Sequence, residues 1–168
     1  VLVTGGARRV GAEIARTLHA AGALVAVHYR NSTAEAEALV AQLNGARSQS
    51  AIGIQSNVLD TSQLSRMVET LLAAFGRLDV LVNNTSTFYP TQIGAITEAH
   101  WNDLLGTNLK APLFLSQAAA PALAAAHGLI INIADIHGQR PLRHHTTYSI
   151  AKAGLVMLER DEVGGPLH

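Results

Sequence analysis

Val1-Leu2-Val3-Thr4-Gly5-Gly6-Ala7-Arg8-Arg9-Val10-Gly11 opens the chain. Apolar residues, a glycine-bearing turn and an amphipathic segment follow without a gap, which reads as strand, tight turn and helix. That helix runs to about residue 21, with Val10, Ile14 and Leu18 at four-residue steps on one face, and Gly22 ends it. The unit then recurs. Strands are expected at 23–29, 51–55, 78–82 and 129–134, and helices at 32–43, from 60 or 61 to 75, 99–126 and 148–160. Ser32, with Glu35 three residues on, reads as a capping box. Gly76 stops the third helix, and Pro112 bends or breaks the fourth. Strands alternating with helices of about 10–15 residues give an α/β fold, a doubly wound parallel sheet with helices on both faces. The apolar runs Leu24-Val25-Ala26-Val27 and Leu129-Ile130-Ile131 suit strands covered on both sides.

Composition narrows the partners. The 168 residues are 48% hydrophobic and 14% charged, enough for a single globular domain with a real core. Twelve Lys plus Arg balance twelve Asp plus Glu, which argues against nucleic acid or a membrane surface as a partner. There are no cysteines, hence no disulfide framework and no thiolate metal site. No apolar run approaches the roughly 20 residues that span a bilayer. No charged-then-apolar leader is visible at the start, so a cytoplasmic location is expected.

In doubly wound sheets ligands sit beyond the carboxyl ends of the strands. The first such loop carries Gly5, Gly6 and Gly11, which allow a tight turn and close approach of a phosphate to the helix start. An ordinary strand-to-helix turn has the same look. Arg8 and Arg9, however, oppose the helix dipole there, and that cost suggests an anionic ligand. The second strand ends His28-Tyr29-Arg30-Asn31-Ser32. A carboxylate at this point would bind ribose hydroxyls; Arg30 instead suits a 2′-phosphate, so NADP(H) is expected over NAD(H), unless Arg30 is a plain surface cation. Farther on, Tyr148 and Lys152 stand four apart on a helix, one turn from each other on one face. An ammonium there is expected to lower the phenol's pKa, so that Tyr148 can exchange a proton.

These motifs, with Asn83-Asn84 after the fourth strand and Trp101…Asn108-Leu109-Lys110-Ala111-Pro112, fall in the order and spacing of the short-chain dehydrogenase/reductases, which the chain resembles over about residues 1–158. That family has the Rossmann-type version of the fold. Within it, the sequence is similar to the pteridine reductases. Arg9 replaces the middle glycine of the family's turn, Ser86-Thr87-Phe88-Tyr89-Pro90 follows the paired asparagines, and Asp135 stands thirteen residues before Tyr148 where the family usually has serine.

The resemblance implies hydride transfer from NADPH to a dihydropterin or dihydrofolate. It assigns Asp135, Tyr148, Lys152 and Asn108 to catalysis. Lys152 would bind the nicotinamide ribose and hold down the pKa of Tyr148, while Asn108 would order a water relay. It assigns Arg9, Ser86, Phe88, Asp135 and Tyr148 to substrate, with Phe88 stacking on the pterin. Cofactor contacts would come from Gly5, Arg8, Arg9, Val10, Gly11, His28, Tyr29, Arg30, Asn31, Ser32, Asn57, Val58, Asn83, Ser86, Ile133, Tyr148 and Lys152. The residue types fit: a flat heterocycle wants an aromatic platform, and a donor-rich pterin edge suits a carboxylate. Read alone, Phe88 could be a core aromatic and Asp135 a turn cap. His144 and His145 lie in a loop, and no metal site is expected because no third ligand stands at ligand spacing. The family's homo-tetramers, formed through the two long helices beginning near Ala99 and Tyr148, are implied as well.

Past Leu158 the pattern departs from the family, whose last helix leads to two more strands. Eight residues after Arg160 cannot supply them. The C-terminal strands are therefore expected to be missing, either through truncation or through an omitted segment. A carbonyl reductase of the same family, such as a 3-oxoacyl reductase, and a non-catalytic NADP-binding module are the competing readings.

Overall fold

The computed structural model describes residues 1–162. Five strands form one parallel sheet: β1 (Leu2–Val3), β2 (Val25–Tyr29), β3 (Ala51–Gln55), β4 (Val80–Asn83) and β5 (Leu129–Asn132), in the order β3-β2-β1-β4-β5. Leu2 pairs with Ala26 on one side and Leu81 on the other, and Val3 pairs with Val27 and Val82. The chain winds outward from β1 to β3, then crosses to β4, so strand order reverses between β1 and β4. That switch point is where ligands settle in such sheets.

Alternation along the strands builds two cores. Leu2, Ala26, Ile54 and Leu81 pack under α3 (Leu64–Phe75) and α5 (Ala111–Ala126). Val3, Val25, Val27 and Val82 pack under α1 (Arg9–Ala20) and α2 (Thr33–Ala46). The face of α1 differs from the expected stripe. Gly11, Ala12, Ala15 and His19 are buried, Ile14 and Leu18 pack at the margin, and Val10 is 60% exposed. Small residues let this helix lie close to the sheet, which moves its contact line around from the larger side chains.

Three further expectations change. Ser32 forms no capping bond; Glu35 instead reaches Arg8 at 3.5 Å. The long helix is interrupted upstream of Pro112: α4 (Glu98–Leu105) passes through a π turn, Gly106–Lys110, into α5, with Ala111 N–H donating to the Gly106 carbonyl. Pro112 has no N–H for the Asn108 carbonyl and its ring crowds that position, so the backbone widens by one residue there. Finally, β5 is the sheet edge, and its Leu129 and Ile131 are 52% and 41% exposed, so this strand is not covered on both faces by the described residues. Two other signals hold: Asp60 caps the 3-10 turn Thr61–Gln63, and Gly76 ends α3 in the left-handed region. The last helix, α6 (Thr146–Glu162), runs unbroken over its described length; Val163–His168, where the missing-strand expectation falls, lie outside the described residues.

Candidate active site

The site begins with how the first turn is held. Thr4 Oγ1 accepts from the amides of Asn84 and Thr85 at 2.9 and 3.0 Å, tying β1 to the loop after β4. The Asn84 side chain donates to the carbonyls of Thr4 and Gly5. Gly11 packs onto the same carbonyl: a Cβ there would lie 2.3 Å from Gly5 O, so only glycine fits. Arg9 takes φ +49°, the left-handed conformation that costs a non-glycine residue about 1–2 kcal/mol. The sequence had placed arginine where the family carries glycine, and this backbone shows why glycine is the default. Keeping an arginine here at that cost points to a task for its side chain.

Two grooves meet at this turn. One runs toward the ends of β2 and β3 and is lined by Gly5, Arg8, residues 28–32, Val58, Ser86 and neighbours. The other lies over the start of α1 and is lined by Gly5, Arg8, Arg9, Val10, Gly11 and residues 84–86. Neither wall contains an Asp or Glu. Thr85 and Thr107 line the first groove with buried hydroxyls that have no hydrogen-bond partner among the described residues. Unpaired buried hydroxyls beside a glycine cradle and arginines fit a polar, anionic dinucleotide. Two expected contributors turn elsewhere. Asn83 is buried against Asn132, at 2.8 Å, and the Asn57 side chain accepts from Leu59 N–H within its own loop.

The chemical groups stand on the loops after β4 and β5 and on α6. Tyr148, buried at the start of α6, donates its hydroxyl to Asp135 Oδ2 at 2.7 Å. Asp135 also caps the turn Ile136–Gly138 by accepting from His137 N–H. The expected effect of Lys152 on Tyr148 is corrected. Burial and the neighbouring carboxylate push the phenol above its ordinary value, with only the Ser86 hydroxyl pulling the other way. Lys152, itself lowered by burial, spends its Nζ on the Ile133 carbonyl at 2.8 Å and lies 5.8 Å from the Tyr148 ring centroid. A carboxylate in direct contact outweighs an ammonium one turn away. Burial works against the charge on Asp135, yet the His137 amide and the phenol together hold its carboxyl below the ordinary range.

Asn108, expected to order a water relay, lies in the π turn before α5. Its side chain is fully engaged, accepting from Ser86 Oγ at 2.7 Å and donating to the Thr87 and Leu104 carbonyls. It ties the Ser86–Thr87 stretch to the π turn. Phe88 meets the Tyr148 ring edge-on at 4.9 Å and stays 55% exposed. Its ring also stacks on His145 at 4.6 Å, a neighbour that sequence reasoning left in a loop. Thr91 and Thr147, hydroxyl to hydroxyl at 3.1 Å, pin that loop to α6. Thr4 and Thr85 stand inside the turn and the run after the paired asparagines with no role of their own signalled, and no motif signals the contacts of Thr107 or His145.

The chain belongs to the short chain dehydrogenase family, whose pattern it matches over residues 1–162. It is 35% identical to pteridine reductase 1 of Leishmania tarentolae, over 95% of this chain and 68% of that protein. It is equally 35% identical to the 3-oxoacyl-(acyl-carrier-protein) reductase of Staphylococcus aureus, over 95% of this chain and 65% of that one. An uncharacterized oxidoreductase of Methylorubrum extorquens is 36% identical over 92% of this chain. The chain thus spans about two thirds of the length of these relatives. Among the described residues no helix is long and apolar enough to cross a membrane.

Proposed function

We propose that the chain carries the cofactor-binding and catalytic residues of an NADPH-dependent reductase of pterins or dihydrofolate. The observation that carries this reading is the Tyr148–Asp135 bond at 2.7 Å with Phe88 edge-on to the same phenol. Bound in the grooves, NADPH supplies a hydride. Arg8, Arg9 and the amides at the start of α1 would hold its phosphates, and Arg30, on a wall without carboxylates, would take the 2′-phosphate. Lys152 and Tyr148 would border the nicotinamide ribose.

Reducing a C=N bond needs a proton besides the hydride. Tyr148 would be the proton source, oriented by Asp135, although burial and that carboxylate leave its phenol a weaker acid than free tyrosine; Asp135 would also accept from a pterin's amino and ring N–H groups. Phe88 offers an aromatic surface to the flat ring. The equal identity to a 3-oxoacyl reductase supports a second reading, a carbonyl reductase. NADPH oxidation with dihydrobiopterin, dihydrofolate and a simple ketone separates the two. Turnover of either pterin substrate and not of the ketone is expected; turnover of the ketone alone overturns the proposal. A homo-tetramer through α4 and α6 belongs to the same reading and is supported by the exposure of Trp101, Ile150 and Met157; a monomer at micromolar concentration in light scattering would remove it.

A further inference from the structure

His28 sits at the end of β2, 1% exposed, with both ring nitrogens engaged. Nδ1 lies 3.1 Å from the Gly5 amide and Nε2 3.1 Å from the Ser56 carbonyl. A backbone N–H only donates and a carbonyl only accepts, so one tautomer satisfies both: Nδ1 bare, Nε2 protonated. The main chain of the same residue takes the next amide, since Gly6 N–H donates to the His28 carbonyl at 2.9 Å. One residue therefore consumes two successive amides of the glycine turn. What remains for an anion is the run of amides from Ala7 into α1. The imidazole also spans from this turn to the loop after β3, beside Val58, which lines the same groove. Gly5, at φ +58°, has no side chain of its own to stabilise that backbone.

We propose that His28 is a positioning residue for the dinucleotide: its neutral ring clamps the Gly5 amide and the Ser56 carbonyl, setting the turn and the width of the groove before the ligand arrives. This rests on the reading that the groove takes a nicotinamide dinucleotide. Burial supports it by holding the ring's pKa down to about 4, so the acceptor at Nδ1 persists at neutral pH.

Two substitutions divide the ring's tasks. In His28→Asn the side-chain oxygen falls near the place of Nδ1 and keeps an acceptor for Gly5 while losing Ser56. In His28→Gln the amide reaches toward Ser56 and leaves Gly5 N–H without a partner. Equilibrium binding of NADPH and of NADH is measured by fluorescence for each, together with hydrogen exchange at the Gly5 amide. His28→Gln is expected to weaken both dinucleotides about tenfold, leave their ratio unchanged and speed Gly5 exchange. His28→Asn is expected to recover affinity to within about threefold and to keep Gly5 protected.

Equal affinity and equal Gly5 exchange in parent and His28→Gln overturn the clamp, as does a shifted NADPH-to-NADH ratio, which would make His28 a 2′-phosphate contact. The parent ring gives a second test that needs no variant to fold. Nitrogen NMR at pH 7 should show Nδ1 bare and Nε2 protonated, and the other tautomer or a charged ring contradicts the proposal. A parent that binds neither dinucleotide overturns the functional reading with it, whereas a parent that binds while His28→Gln binds equally overturns the clamp alone.

Discussion

Replacing Asp135 by asparagine tests what holds the phenol in its protonated form. The substitution keeps an oxygen for the His137 amide, so the turn Ile136–Gly138 stays capped, but it removes the negative charge 2.7 Å from Tyr148. A hydrogen bond to a charged partner contributes about 1.5–3 kcal/mol, roughly twice a neutral one. With its one oxygen on His137, asparagine turns an NH2 group toward the phenol, so that whole contribution is lost, about one to two pKa units. The Tyr148 phenol should therefore titrate about one to two units lower in Asp135→Asn while staying above the ordinary tyrosine value, because burial is the larger cause and is untouched. Tyrosine labelled at Cζ, followed by NMR across alkaline pH with Tyr148→Phe to assign the signal, reads this directly. Turnover of dihydrobiopterin should fall at least ~10²-fold in Asp135→Ala and in Tyr148→Phe, with NADPH affinity retained. An unmoved phenol titration in Asp135→Asn would refute the reasoning, because the carboxylate would then not be what Tyr148 senses.

His28 predicts an acid limit. Its folded pKa of about 4 lies below the model-peptide value of 6.5, so the unfolded chain binds the proton first as pH falls. Its share of stability is fully present above pH 6.5 and is lost as pH drops toward 4, about 3 kcal/mol in all. Denaturant unfolding should show the gap between parent and His28→Asn shrinking over that window, and a constant gap would contradict it. Arg9→Gly should relieve the φ +49° strain and raise stability by about 0.5–1 kcal/mol, a Tm gain of about 1–4 °C, while weakening pterin binding; a lower Tm would show that the backbone there is unstrained. Arg30→Ala should weaken NADPH about tenfold and leave NADH unaffected, and an equal loss for both would remove the 2′-phosphate role.

The fold could be read because its signals are local. Strand-turn-helix units announce themselves within about twenty residues, and Gly76 and Asp60 act on their immediate neighbours. Errors arose where a distant partner decided the outcome. Glu35 forms an ion pair with Arg8, and the Ser32 cap is unmade. Pro112 acts one turn upstream, so the irregular backbone falls at Gly106–Lys110. The site followed the same rule. The Asp135–Tyr148 pairing is legible only through family spacing, and the sign of the Tyr148 shift is set by burial and by a carboxylate that reaches it from another loop, neither of which the Tyr148–Lys152 spacing reports. The bonds from Thr4 to Asn84 and from Gly5 to His28 join residues 80 and 23 apart, and no periodicity reports them.

The central claim is that a carboxylate at position 135, bonded to the phenol of Tyr148, selects a pterin over a carbonyl substrate. Its most direct test is the ratio of NADPH oxidation with dihydrobiopterin to that with a 3-oxoacyl thioester, measured in the parent and in Asp135→Ser. The account predicts a ratio well above one in the parent that falls at least ~10²-fold in the variant. A parent that reduces only the thioester, or a ratio that the substitution leaves in place, would contradict it.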